Sequence, residues 1–99
     1  MSKTIERTEM RSITSPGFAM QVDKAKYDAM KDAILAAVPK TVPGLTVAEI
    51  KARVLPLLPE ELFPGGAKAG WWLKGVQLDL EARGLIAREN VKPLRLHRL

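Results

Sequence analysis

Apolar residues recur at helical spacing in three stretches of the chain, and the first of these lies within residues 24–38. Its apolar positions are three or four residues apart, which places them along one face of a helix; they are Tyr27, Met30, Ile34 and Val38. Asp23 is a suitable N-cap for this helix, and Pro39 prevents it from continuing. The pattern therefore predicts a first helix that ends before Pro39.

The second helix is predicted from the residues of its first turn. Thr46 and Glu49 have the spacing of a capping box, in which each side chain accepts a hydrogen bond from the backbone amide of the other residue. The apolar positions that follow at helical spacing are Val47, Ile50 and Val54. Pro56 ends this helix, since proline cannot continue the backbone hydrogen bonding.

The third helix is predicted over residues 69–83, with Gly84 as its left-handed cap. It has two apolar stripes, one formed by Trp72, Leu73, Val76 and Leu80 and the other by Trp71, Leu78 and Ala82. Two stripes indicate burial on more than one side, either between the other helices or against a partner. The polar face is predicted to comprise Lys74, Gln77 and Glu81, while Asp79 and Arg83 form a favourable pair one turn apart.

Both ends of the chain lack a helical period. Residues 85–89 and 93–97 are strand candidates, because Leu94 and Leu96 alternate with Arg95 and His97 in the second of them. Residues 1–20 are polar and mixed in charge, and residues 15–17 break them with a Ser-Pro-Gly turn. We therefore predict a flexible N-terminal arm over residues 1–21 and one folded domain over residues 22–99.

The composition is typical of a single folded domain without disulfide bonds. The chain has 99 residues, of which 46% are hydrophobic, enough to fill the core of one domain. It has no cysteine, which excludes disulfides and thiolate metal sites, and His97 is its single histidine. We expect no metal and no cofactor. The charged N-terminal residues and the short apolar runs predict no signal sequence and no membrane span, and hence a cytoplasmic protein.

The same residue types give little support for catalysis. Glu60 and Glu61 are adjacent and therefore cannot face one substrate from two sides, as paired catalytic carboxylates must. Gly65 and Gly66 lack the spacing and the Lys-Ser/Thr ending of a phosphate-binding loop, so they indicate a turn. No nucleophile, base and orienting group can be assembled, and no catalytic residue is predicted. We expect a protein that is not an enzyme.

The formal net charge of +5 is concentrated near the C-terminus. Residues 84–99 contribute +3, from Arg88, Lys92, Arg95 and Arg98 against Glu89. A basic excess of this size is compatible with a polyanionic partner but does not require one.

The order of three helices and a hairpin is that of a winged helix. The segments LFPGGAKAGWWLKGVQLDLEARGLIARE and PLRLHR also resemble a family of small, functionally uncharacterised bacterial proteins. The likeness extends from about Val22 to the C-terminus. It implies a mainly helical α+β fold, a winged helix with a three-helix core and a two-stranded antiparallel wing, and no established activity. Residues 56–68 form a longer turn, richer in proline and glycine, than a plain helix-turn-helix has.

In a DNA-binding winged helix, helix three enters the major groove and the wing contacts an adjacent groove or the phosphates. We therefore predict binding of double-stranded DNA through the wing and the start of helix three. The candidates on helix three are Lys68, Lys74 and Gln77, of which Gln77 has the side chain that pairs with adenine. Those on the wing are Arg88, Lys92, Arg95 and Arg98. Asp79 and Glu81 oppose this interpretation, because carboxylates on the same helix repel phosphates. The alternative for Lys68 is a solvated loop residue, and the equally supported alternative for the wing cations is a solvated edge ribbon whose charges prevent edge-to-edge pairing.

The alternative function is a protein-interaction or homodimerisation module that binds no nucleic acid. Trp72 is predicted to lie in the core, whereas Trp71 and Leu78 lie on the second stripe of helix three. Tryptophan is often the energetic centre of an interface. In this alternative the basic charge serves solubility.

Overall fold

The structure, a computed structural model, describes residues 6–99. Its elements are β1 (Arg7–Arg11), β2 (Ala19–Asp23), α1 (Lys24–Ala37), β3 (Leu45–Thr46), α2 (Val47–Val54), α3 (Ala69–Ala82), β4 (Ile86–Glu89) and β5 (Arg95–Arg98). Two short 3-10 turns, Leu55–Leu57 and Pro64–Gly66, lie between α2 and α3. The fold is α+β, with three helices and two small antiparallel sheets in the described residues.

The predicted helix starts are confirmed by their hydrogen bonds. The carboxylate of Asp23 accepts from the amides of Ala25 at 2.9 Å and Lys26 at 3.3 Å, so it caps α1. At the start of α2, the Thr46 hydroxyl accepts from the Glu49 amide at 3.2 Å, and the Glu49 carboxylate accepts from the Thr46 amide at 2.9 Å. Both helices therefore begin where local chemistry satisfies their free amides.

The helix α3 begins differently from the other two. Lys68 occupies the N-cap position with a left-handed backbone (φ 59°), and no side chain caps the first turn. The helix contacts β1 and β4 as well as α1. It is consequently enclosed on several sides. Its second apolar stripe is not buried as predicted between the helices, since Trp71 and Ala82 are exposed and Leu78 is half-buried.

An N-terminal hairpin covers one side of α3. Strands β1 and β2 pair antiparallel, with Arg7 opposite Asp23 and Arg11 opposite Ala19. The prediction of a flexible arm over residues 1–21, with the domain starting at residue 22, did not include this hairpin; residues 1–5 lie outside the described residues. The hairpin buries Met10 and Val22. Because each strand has a single buried apolar residue, the sequence lacks the alternation of apolar and polar residues from which a strand is predicted.

The second sheet has three strands in the order β3-β5-β4. The predicted wing strands are present, since Arg88 of β4 lies opposite Leu96 of β5. Leu45 of β3 pairs with the other edge of β5, also opposite Leu96. Strands β4 and β5 are thus part of a three-stranded sheet, and not the two-stranded ribbon that the sequence predicts. Strand β3 has only two residues, too few for a period.

The core lies between the three helices and the three-stranded sheet. Its almost fully buried side chains include Met30, Ile34, Ile50, Val54, Phe63, Val76, Leu80, Ile86 and Leu96. Phe63, from the long turn between α2 and α3, contacts Trp72 edge to face, with ring centroids 6.3 Å apart. The long turn therefore contributes to the core and fixes the start of α3. No helix in residues 6–99 has the length and apolar character needed to cross a bilayer.

Candidate functional site

A buried carboxylate on α3 holds the hairpin and α1 in place. Asp79 is 0% exposed and accepts hydrogen bonds from the Tyr27 hydroxyl, from the Arg11 backbone amide at 2.8 Å and from Arg83 Nε at 2.9 Å. Arg83 also donates to the backbone carbonyl of Glu9 at 2.9 Å. The predicted pair of Asp79 and Arg83 is confirmed as part of a network in which the carboxylate is buried and the Arg83 side chain is 35% exposed. Its role is therefore structural.

The network shifts the pKa of its donors. Burial, and then the hydrogen bond to Asp79, raise the pKa of the Tyr27 hydroxyl far above its usual value near 10. The hydrogen bond to Asp79 likewise raises the pKa of Arg83. Both groups consequently keep their protons over the whole physiological range.

The raised pKa of Tyr27 predicts a loss of stability at alkaline pH. Above about pH 10 the unfolded chain releases the phenolic proton while the folded chain retains it, so the free energy of unfolding falls as pH rises. The variant Tyr27→Phe lacks this contribution. We expect the stability difference between the two proteins, measured by urea unfolding from pH 7 to 11, to shrink above pH 10. Parallel curves over that range would contradict the assignment.

A second buried carboxylate on α3 is neutralised by an arginine of strand β4. Glu81 accepts from Arg88 Nε at 2.6 Å and Nη2 at 3.0 Å, and from the Gln77 side-chain amide at 3.2 Å. The hydrogen bond to Glu81 raises the pKa of Arg88. Gln77 and Glu81 are only 6% and 5% exposed, which corrects the prediction that they share a solvated face with Lys74. The Gln77 side chain is therefore buried and bonded within the protein, which leaves it little access to a DNA base.

The predicted wing cations are less available than their sequence positions suggest. Arg88 is bound to Glu81, and Arg95 donates to the Gly44 carbonyl at 3.0 Å, with Glu49 3.8 Å away. Arg98 is half-buried in β5, whereas Lys92 is exposed in the turn between β4 and β5. Lys92 is thus the wing cation most accessible to a partner.

Three lysines surround the start of α3. Lys68 and Lys74 are exposed, as predicted. The amine of Lys51, on α2, lies 3.6 Å from the position that a β-carbon on Gly70 would occupy. The first turn of α3 contains no acidic residue. Sequence reasoning missed Lys51, because the spacing within α2 does not reveal which helix adjoins its polar side.

The two predicted interface residues line a groove beside these lysines. The groove has a volume of about 360 Å³ and lies between the hairpin and α3. Trp71 is 52% exposed and Leu78 is half-buried. The other residues that line it are Met10, Arg11, Ser12, Thr14, Ser15, Phe18, Met20, Gly70, Lys74 and Gly75. Sequence reasoning missed the contribution of the hairpin.

The hairpin is fixed closely against α3 beside the groove. A β-carbon on Gly75 would lie 2.8 Å from Met10 Cε, so the missing side chain lets the hairpin approach the helix. The backbone amide of Ile13 donates to the carbonyl of Leu78 at 3.2 Å. The groove consequently forms only when the hairpin is packed against α3.

Within residues 6–99, no group of three carboxylate or imidazole side chains is assembled that could hold a metal ion. A family model described as "Family of unknown function (DUF6958)" matches residues 7–96. The match begins with β1 and reaches into β5, so it includes the hairpin that the resemblance from Val22 onward leaves out. No curated protein and no solved structure gives a significant match to the chain.

Proposed function

Because the chain belongs to DUF6958, a family of unknown function, we propose a function from its surface: a non-enzymatic winged-helix module that binds double-stranded DNA. The contacts are made by the start of α3 and by the turn between β4 and β5. The order of three helices and an antiparallel hairpin supports the winged-helix assignment. In this arrangement α3 is the helix that approaches the major groove.

The observation that carries the proposal is the separation of charge on α3. Lys68 and Lys74 are exposed at its start, with Lys51 nearby. The two carboxylates of the same helix, Asp79 and Glu81, are buried and paired with arginines. These carboxylates therefore repel a phosphate on α3 less than their positions in the sequence suggest. A phosphate at the start of α3 would also accept from the uncapped amides of its first turn.

The proposed contacts predict affinity without strong sequence preference. Lysines contact phosphates and position the protein, whereas sequence is read at base edges. Gln77, the candidate for base reading, is buried. We therefore expect duplexes of mixed sequence to bind, with a dissociation constant on the order of 1–100 µM at physiological salt.

Salt dependence tests the proposal directly. Four contacts, from Lys51, Lys68, Lys74 and Lys92, predict a slope of log affinity against log salt of about −3 to −4. The variant Lys68→Ala/Lys74→Ala should weaken binding and reduce the magnitude of this slope by about 2. The measurement is fluorescence polarisation of a labelled duplex at several salt concentrations.

A charge-matched variant provides the control for this experiment. Lys26→Ala/Lys40→Ala removes the same charge from α1 and the loop that follows it. We expect this control to bind DNA nearly as tightly as the unmodified protein. Equal weakening by the two variants would show that net charge alone attracts DNA, and absence of binding at low salt would end the proposal.

The second candidate function is protein interaction or homodimerisation through Trp71 and Leu78. It is favoured by the exposure of Trp71, which is 52% accessible beside the exposed Phe18 and Met20. Sedimentation equilibrium would distinguish the candidates. A dimer that dissociates on Trp71→Ala and tolerates Lys68→Ala/Lys74→Ala favours this second candidate over DNA binding.

A further inference from the structure

We propose that the groove between the hairpin and α3 binds a small organic carboxylate with an apolar body. Its volume of about 360 Å³ lies within the range of small-molecule sites, which are mostly apolar with a few polar groups. The proposal goes beyond DNA binding and does not depend on it.

The walls of the groove favour an apolar ligand body. Phe18, Met20 and Trp71 are 45%, 36% and 52% exposed, and Met10 and Leu78 lie deeper. Covering these side chains removes apolar surface from water, which is worth about 25 cal/mol for each Å². The flexible thioethers of Met10 and Met20 adapt to differently shaped ligands.

The charged groups of the groove favour an acid. Arg11 and Lys74 are the charged residues that line it, and both are cations. Arg11 already pairs with Glu9 at 2.8 Å, whereas Lys74 makes no ion pair within residues 6–99. Lys74 is therefore the principal partner for a ligand carboxylate.

The hydroxyl groups of the hairpin turn would lose hydrogen bonds to water beneath a purely apolar ligand, which disfavours its binding. Ser12, Thr14 and Ser15 line the same groove, and the hydroxyls of Ser12 and Thr14 hydrogen-bond to each other at 3.0 Å. A bound molecule therefore meets apolar walls together with polar groups and Lys74. An amphiphilic anion fits this site, because its apolar body contacts the walls and its carboxylate contacts Lys74 and the hydroxyls.

The test uses octanoate, with octanol and octylammonium as probes of the same chain length. Nuclear magnetic resonance titration of the isotope-labelled protein resolves the backbone amides of Gly70 and Gly75 and the Trp71 indole. We expect octanoate to shift these signals saturably, octanol to bind about tenfold more weakly, and octylammonium to bind most weakly. The tenfold preference corresponds to one charge-assisted hydrogen bond.

Two lysine variants locate the carboxylate. Lys74→Gln should weaken octanoate binding about tenfold and leave octanol binding unchanged. Lys40→Gln removes an exposed lysine that neither lines the groove nor belongs to the proposed DNA contacts, and octanoate binding should be unaffected.

Three results would overturn the assignment. These are equal binding of octanoate and octanol, no saturable shift at Gly70, Gly75 and Trp71, or equal weakening by Lys74→Gln and Lys40→Gln. The titration contains no nucleic acid, so its outcome is separate from that of the DNA experiment.

Discussion

The variant Asp79→Ala is expected to lose about 2–5 kcal/mol of its free energy of unfolding, because each buried donor left without an acceptor costs about 1–3 kcal/mol and Asp79 serves more than one. The substitution leaves the Tyr27 hydroxyl, the Arg11 amide and the Arg83 guanidinium without their common acceptor. A domain of this size has about 5–15 kcal/mol in total, so the loss is a large fraction. Urea unfolding followed by circular dichroism measures it.

A second aspartate provides the matched control for Asp79. Asp28 also pairs with a cation one helical turn away, Lys24, at 2.5 Å, but both side chains are nearly half exposed. Asp28→Ala should therefore change stability little. Asp79→Asn serves if the alanine variant does not fold, since it keeps the shape and removes the charge. Equal losses for Asp28→Ala and Asp79→Ala would refute the central role of Asp79.

The variant Gly44→Ala is expected to lose about 2–5 kcal/mol, from two separate causes. Gly44 has φ +85°, in the left-handed region that residues with a β-carbon adopt at a cost. A β-carbon there would also lie 1.9 Å from the backbone carbonyl oxygen of Leu96, which cannot move without disturbing β5. The same unfolding measurement applies.

Gly84 separates these two causes. It has a similar left-handed backbone, φ +75°, but a β-carbon there meets nothing within 4 Å. Gly84→Ala should therefore show the backbone cost alone, about 1–2 kcal/mol. If Gly44→Ala is no worse than Gly84→Ala, the close approach to Leu96 does not contribute.

The three helices could be predicted from the sequence because their ends are determined by neighbouring residues. Asp23 caps α1 through amides two and three positions away, and Thr46 and Glu49 cap each other. Such contacts leave a local pattern in the sequence. Strand β3 has no comparable signal, because its pairing with β5 joins residues about fifty positions apart.

The candidate site could be predicted only in part, for a related reason. Helical spacing predicts the positions of Trp71 and Lys74 on α3, and both side chains are exposed there. Gln77 and Arg88 were predicted as free polar groups, but each bonds to Glu81. Spacing predicts which side of a helix a residue occupies. It does not predict which other segment covers that side.

The hydrogen bond from the Arg11 amide to Asp79 has a consequence for local opening. The hairpin is held to the helices by this bond and by the packing of Met10. Its separation would leave a buried carboxylate with fewer donors, which makes partial detachment costly. Hydrogen exchange at Arg11 should therefore be as slow as exchange in the middle of α3, so that the hairpin and the helices behave as one cooperative folding unit.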